Sequence, residues 1–162
     1  MAIDAFLKLG DIEGESQVKG FEDYIQVLAW SWGMSQSGTT HMGKGAGGGK
    51  ANVQDLSITH YVDAATPRIM TACCSGEHFK DGGELVLRKA GKEALIYLTY
   101  KFSPVIITSV SVGGSEGEEQ ITENFTINFG KFEVSYQPQS ATGAAEGGTK
   151  DGGWDIVSNA EV

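Results

Sequence analysis

Ile25-Gln26-Val27-Leu28-Ala29-Trp30-Ser31-Trp32-Gly33 is the stretch on which the reading of this chain turns. It is dense in apolar residues and predicts one strand, in which period-2 geometry sends Leu28, Trp30 and Trp32 to a common face. Two tryptophans on one face make that face core. The opposite face carries Val27, Ala29 and Ser31, small and uncharged side chains that suit neither a filled core nor the solvent side of a free monomer.

At 162 residues the chain fits one domain that buries roughly 70% of the surface its unfolded form exposes. The 23 glycines are about twice the average share, and they cluster, which marks turns and loops. A net charge of −9 with no basic run argues against nucleic acid as a partner. The N-terminus, Met1-Ala2-Ile3-Asp4-Ala5-Phe6-Leu7-Lys8, has no basic segment leading into a long apolar one, so no Sec signal is readable. No apolar run approaches the ~18 residues of a membrane span, and no membrane insertion is expected. Cys73 and Cys74 are adjacent, fit no zinc or redox spacing, and are expected as small buried hydrophobes.

Outward from the tryptophans, Ala5 to Leu9 predicts a first strand, with Phe6 on one face and Ala5, Leu7 and Leu9 on the other. The acidic stretch from Asp11 to Asp23 reads as a solvated connection. Met34 to Lys50 is a long loop containing the run Gly43-Lys44-Gly45-Ala46-Gly47-Gly48-Gly49-Lys50, and loops of such length are functional or disordered. A strand resumes over Asn52 to Tyr61. One helix follows, with Thr66 as N-cap, Pro67 at N1, a stripe of Ile69, Met70, Cys73 and Cys74, and Gly76 as the stop.

From Glu84 onward short strands succeed one another: Glu84 to Lys89, Ala94 to Phe102, Val105 to Val112, Ile121 to Phe129 and Lys131 to Gln137. Gly143 to Gly153 reads as a flexible connector, and Trp154-Asp155-Ile156-Val157 as a last docked strand. The pattern is mainly β, a barrel or sandwich with one flanking helix. Thr122, Asn124, Thr126, Asn128, Ser109, Ser111, Ala29 and Ser31 make its outward faces polar or small. Either Thr and Asn simply tolerate exposed strands, or these faces line a subunit interface or a neutral cavity.

No catalytic or cofactor motif survives inspection. A Walker A loop ending at Gly49-Lys50 would need glycine where Lys44 stands and Ser or Thr where Ala51 stands. Gly43, Gly45 and Gly48 match a dinucleotide fingerprint in spacing, but the run leads into a strand, and no helix N-terminus is there to meet a pyrophosphate. His41, His60 and His78 show no metal spacing and read as loop or strand-end residues. Gly114-Ser115-Glu116-Gly117 lacks the frame of a nucleophile elbow, and Glu116, Glu118 and Glu119 read as a solvated cluster. The expectation is a protein without catalytic, cofactor or metal sites. A monomeric glycan-binding β-sandwich and a small hydrolase stand as alternatives, the first requiring aromatic rings exposed on one face.

Val27-Leu28-Ala29-Trp30-Ser31-Trp32-Gly33, Val53-Gln54-Asp55-Leu56-Ser57-Ile58-Thr59, Arg88-Lys89-Ala90-Gly91, Ser109-Val110-Ser111-Val112-Gly113-Gly114-Ser115, Ile121-Thr122-Glu123-Asn124 and Tyr136-Gln137-Pro138-Gln139 together resemble the haemolysin-coregulated protein (Hcp) family of bacterial type VI secretion. The resemblance spans nearly the whole chain in order. It implies a single domain over residues 1–162, a two-sheet β-barrel-like fold with one flanking α-helix, assembled as a hexameric ring. Such rings stack into an inner tube, like a phage tail tube, that a contracting sheath expels. It further implies sheath and tip proteins as partners, small effector proteins sheltered in the lumen, and export from the bacterial cytoplasm to the medium or a target cell through the secretion apparatus itself. Within that frame Ala29 and Ser31 are expected at the lumen. The loop 38–50, with Gly43, Lys44, Gly45, Gly47, Gly48, Gly49 and Lys50, is expected to reach a neighbouring ring or subunit, and 139–153 to be a flexible connector.

Overall fold

The computed structural model describes residues 3–38, 49–90 and 94–162. The tryptophan stretch does not form one strand. β2 (Ile25–Val27) pairs antiparallel with β1 (Ile3–Leu9), whereas β3 (Ala29–Ser31) pairs with β6 (Leu56–Tyr61). The chain bends at Leu28, whose backbone N–H donates to the Thr59 carbonyl at 2.8 Å. That bend resets the alternation, so Ile25 and Val27 pack inward before it and Trp30 and Trp32 after it. Leu28 is therefore 51% exposed and not core, and Val27 lies against the core and not on the outer face.

The tryptophans themselves are where alternation puts them. Trp32 stands edge-on to Tyr100, Phe102, Phe129 and Phe132, with ring centroids 4.9–5.9 Å away, and Trp30 meets Tyr100 at 5.6 Å. Such edge-to-face pairs place the positive rim of one ring on the negative face of another. The indole N–H of Trp32 donates to the Gln54 carbonyl at 2.8 Å, which satisfies its one polar atom. Beyond Gly33, β4 (Met34–Ser35) and β5 (Asn52–Val53) form a separate two-stranded ladder at the base of the Gly-rich segment.

Two long strands carry the rest. β9 (Ile96–Gly113) and β10 (Thr122–Tyr136) pair along nearly their whole length, each continuing where the sequence predicts a break. The ladder skips Pro104 and Gly130 alone at that point, between Phe129↔Val105 and Lys131↔Ser103. Proline has no N–H to contribute, and a Cβ on Gly130 would stand 3.0 Å from the Pro104 ring. At this corner both strands pass from one sheet to the other. Their Val105–Gly113 and Thr122–Phe129 halves join β6, β3 and β7 (His78–Phe79); their other halves join β8 (Gly83–Lys89), β1 and β2 on one side and β11 (Lys150–Asp155) and β12 (Ala160–Glu161) on the other. Among the described residues the strand ladder does not close on itself, so the architecture is two sheets sharing two strands and not a closed barrel. Leu7, Leu9, Ile25 and Leu85 from one sheet meet Leu56, Ile58, Phe125 and Ile127 from the other, all fully buried. Each such side chain contributes about 1.5–3 kcal/mol on burial.

The acidic connection between β1 and β2 is more than a solvated loop. Phe21 stacks on Phe6 at 4.6 Å, both with Val86 in a second small core, and Ile12 and Ser16 are buried as well. The Arg88 guanidinium lies 5.3 Å from both phenylalanine rings and 3.6 Å from Asp4. β1 is thus covered on both faces, which is why its alternation places apolar residues on each side.

α1 (Thr66–Ser75) packs Ile69 and Ala72 against the core. Its N-terminus is set differently from expectation: Ala65 holds the cap position without a side-chain bond, the Asp63 carboxylate accepts the Ala65 N–H at 2.9 Å, and the Thr66 hydroxyl accepts the Asp63 N–H at 3.2 Å. Gly76 ends the helix in the left-handed conformation, its N–H returned to the Ala72 carbonyl. The stripe is narrower than predicted. Cys73 is half-buried, and Met70 and Cys74, next around the helix, are exposed, which corrects the expectation that both cysteines are buried. At the C-terminal end β11 begins at Lys150, within the span read as a connector, and stops at Asp155, leaving Val157 81% exposed beyond it.

Candidate functional site

The outward face of the β3–β6–β10–β9 sheet is a continuous wall of hydroxyls and amides. Cross-strand register lines up Ala29, Thr59, Asn124 and Ser111 in one row and Ser31, Ser57, Thr126 and Ser109 in the next. The side-chain amide of Asn124 donates to both Ser57 and Thr59 at 3.0 Å, and the Thr126 and Ser109 hydroxyls pair at 2.6 Å. Where register shifts between Thr126↔Ser109 and Ile127↔Ile107, Thr108 is the extra residue of a bulge. Its hydroxyl meets Thr126 Oγ1 at 2.7 Å and donates to Asp55 at 2.8 Å; Asn128 donates to the other Asp55 oxygen at 2.8 Å.

Physically, this wall is wet but not adhesive. Its polar groups are largely satisfied by one another, so a passing surface gains little by replacing those bonds. The two rows contain no Lys, Arg, Asp or Glu, and the Asp55 carboxylate at the margin is engaged by Thr108 and Asn128. Trp30, Phe125 and Phe129 of these strands pack with the core, and the exposed ring of Tyr61 lies beyond the two rows, opposite Thr122, so the rows themselves offer no stacking platform of the kind a glycan binder would need.

Ala29 and Ser31 lie exposed at the edge of this wall. Gly49 and Lys50 are exposed near the β4–β5 ladder, Gly49 donating to the Ser37 carbonyl at 3.4 Å; Gly43, Lys44, Gly45, Gly47 and Gly48 lie outside the described residues. Sequence reasoning missed Ser57, Thr59, Thr108 and Asp55. The alternation of Leu56, Ile58 and His60 against Ser57 and Thr59 would have revealed the first two. Thr108 owes its position to a bulge that alternation does not register.

Burial adds to the reading of the histidines as loop or strand-end residues, since His60 stands next to the last residue of β6. His41 lies outside the described residues and His78 is exposed, but His60 is fully buried, its Nε2 donating to Glu123 at 2.8 Å and its Nδ1 3.7 Å from Asp63. Burial alone would push the imidazole down, yet the neighbouring carboxylates of Asp63 and Glu123 outweigh it and hold His60 above its ordinary value. Elsewhere an open cleft of about 740 Å³ between the second sheet and the α1–β8 connection mixes Lys8, Lys80, Lys101 and Lys131 with Glu77, Glu84 and Glu133. Tyr24 at its rim is pushed up to about 12 by partial burial and by its hydrogen bond to Glu84 at 2.8 Å. Among the described residues no group of three or more His, Cys, Asp or Glu side chains is placed to hold a metal ion, and no helix is long and apolar enough to cross a membrane.

Comparison with known proteins agrees with this geometry. Protein hcp1 of Pseudomonas aeruginosa is 52% identical over 163 aligned residues, covering all of both chains. The crystal structure of Hcp1 from Salmonella typhimurium superposes with a TM-score of 0.82 at 36% identity over the full length of both chains. A structure described as a type six secretion system protein reaches a TM-score of 0.92 at 27% identity, covering 99% of this chain and 100% of its own. Residues 6–136 match the family described as "Type VI secretion system effector, Hcp", and the chain belongs to that family.

Proposed function

We propose that this chain is the tube subunit of a type VI secretion system, non-catalytic, working as a single domain that closes into rings of six. The rings stack into an inner tube, the apparatus exports the chain itself, and sheath and tip proteins are its fixed partners. The polar wall, from Ala29 and Ser31 across to Ser109 and Ser111, faces the lumen, where small effector proteins are held in transit. The Gly-rich loop 38–50 reaches the adjoining ring.

The observation that carries this reading is the wall itself: two rows of small neutral side chains across four strands, cross-linked by their own hydrogen bonds. A conduit needs a surface that tolerates many passengers without gripping any through a buried charge or a deep apolar pocket. Native mass measurement with negative-stain imaging tests the assembly. Annular particles of six 17.2 kDa chains are expected, and a monomer persisting at micromolar concentration would overturn the ring.

A further inference from the structure

Alternation along β6 sends Leu56, Ile58 and His60 inward, and along β10 it sends Glu123, Phe125 and Ile127 inward. Register then sets His60 directly opposite Glu123. Two ionisable side chains thus face each other in the protein interior, both 0% exposed and joined at 2.8 Å. Asp63, in the turn that leads into α1, presents one carboxylate oxygen to His60 Nδ1 at 3.7 Å while its other oxygen accepts the Ala65 N–H just ahead of the helix. One imidazole therefore touches the ladder through Glu123 and the start of the helix through Asp63.

The surroundings leave the charge balance to that imidazole. Glu15, from the β1–β2 connection, accepts the Ala64 N–H at 3.0 Å and adds another carboxylate beside the same turn. From β10 the Phe125 ring stands edge-on at 5.4 Å, and the β9 residue opposite Glu123 is Val112. Among the described residues no lysine or arginine lies within ion-pair distance of Glu123 or Asp63. His60 Nδ1 and Glu123 Oε2 are buried without hydrogen-bond partners, so among the described residues nothing else offsets the buried carboxylate.

We infer that His60, Glu123 and Asp63 form a buried charge latch that ties the start of α1 to the β6–β10 ladder while the imidazole is protonated and slackens when it loses that proton. The direction follows from linkage. The carboxylates hold the folded-state value of His60 above 6.5, so its contribution is complete below about 6.5 and is lost as pH rises through the folded value. The latch is closed in mildly acidic surroundings and opens on the alkaline side. Thr59 and Asn124, the chain neighbours of His60 and Glu123, point the other way and are hydrogen-bonded in the polar wall. A consequence for passengers rests on the lumen reading of that wall; the latch itself does not.

Histidine C2–H exchange followed by mass spectrometry on the assembled wild-type protein gives the His60 protonation midpoint directly, without any substitution. It is expected above 6.5, and a midpoint at or below 6.5 overturns the latch. Amide exchange over residues 56–61 and 63–70, corrected for intrinsic rate, should lose protection with rising pH by up to about tenfold per pH unit, the limit for one linked proton. His60→Lys, which keeps a cation across this range, should flatten that trend, and His60→Gln should show the slack state throughout. Wild-type protection that does not change with pH, or the same trend persisting in His60→Lys, would equally refute it. Because these readouts require neither passengers nor stacked rings, they fail independently of the tube assignment.

Discussion

The Thr108 hydroxyl, on the bulged residue of β9, donates to the Asp55 carboxylate at 2.8 Å, and Asn128 holds the other Asp55 oxygen at the same distance. A one-residue irregularity in the ladder thereby places a donor beside a carboxylate that borders the polar wall. Replacing Thr108 with Val keeps the shape and the β-branching but removes this bond and the contact with Thr126. A loss of about 1 kcal/mol in chemical unfolding is expected, the usual worth of an intramolecular hydrogen bond and modest because the site is exposed. No measurable loss would mean that water substitutes fully for the Thr108 hydroxyl.

Trp32 should behave differently, because its ring meets four others from the two long strands β9 and β10. Trp32→Ala should destabilise the subunit by about 3–5 kcal/mol, the range for removing a large aromatic from a packed site. Trp32→Phe should recover most of that while leaving the Gln54 carbonyl without its indole donor. Equal losses for the two substitutions would shift the weight from packing to the hydrogen bond.

What the sequence could disclose was whatever depends on alternation within one strand. Phe125, Ile127 and Phe129 against Asn124, Thr126 and Asn128 is such a case, and both the inward set and the polar set are where that pattern puts them. The pattern is blind to backbone events that change its phase. The bend at Leu28 turned an expected core residue outward, and the Thr108 bulge brought an unforeseen hydroxyl into the wall. β9 runs on through Pro104, and β10 through the Gly130 beside it, because the ladder omits only that one pair. The His60–Glu123 contact was out of reach for a different reason: 63 residues separate the partners, and only strand register brings them together.

Cys74 offers a quick check of how α1 is seated. It is exposed while Cys73 is half-buried against the core, so a small thiol reagent should modify one cysteine per chain rapidly and the second more slowly. Peptide mapping should find the fast label on Cys74. Fast labelling of both would mean that the helix lifts from the sheet, and protection of both would mean that an assembly contact covers its outer side.

The Gly-rich loop is expected to serve assembly more than folding. Its base is the β4–β5 ladder, closed by Met34↔Val53 and Ser35↔Asn52, which contributes none of the fully buried core residues. Shortening Gly43 to Gly48 should therefore leave the melting temperature nearly unchanged and weaken ring-on-ring stacking, as followed by electron microscopy of concentrated rings. Rings that dissociate on shortening would transfer the loop from the axial contact to the lateral one.

Ser31 provides the sharpest test of the lumen. Its side chain is exposed at the edge of the wall, opposite Ser57 across the β3–β6 ladder, and makes no hydrogen bond that the fold depends on. Substitution with Arg should change stability by no more than about 0.5 kcal/mol, as at other surface positions without special geometry. In a ring of six the same change would set six guanidinium groups into one bore, reducing its width and reversing the neutral character of its surface. Passenger capture should fall or shift toward acidic proteins while rings of unchanged mass and melting temperature persist. The measurement is a pull-down of co-secreted proteins with wild-type and Ser31→Arg rings. If the variant unfolds the subunit, Ser31 is packed and not exposed; if rings form and passengers bind as before, the wall that includes Ser31 is not where they are held.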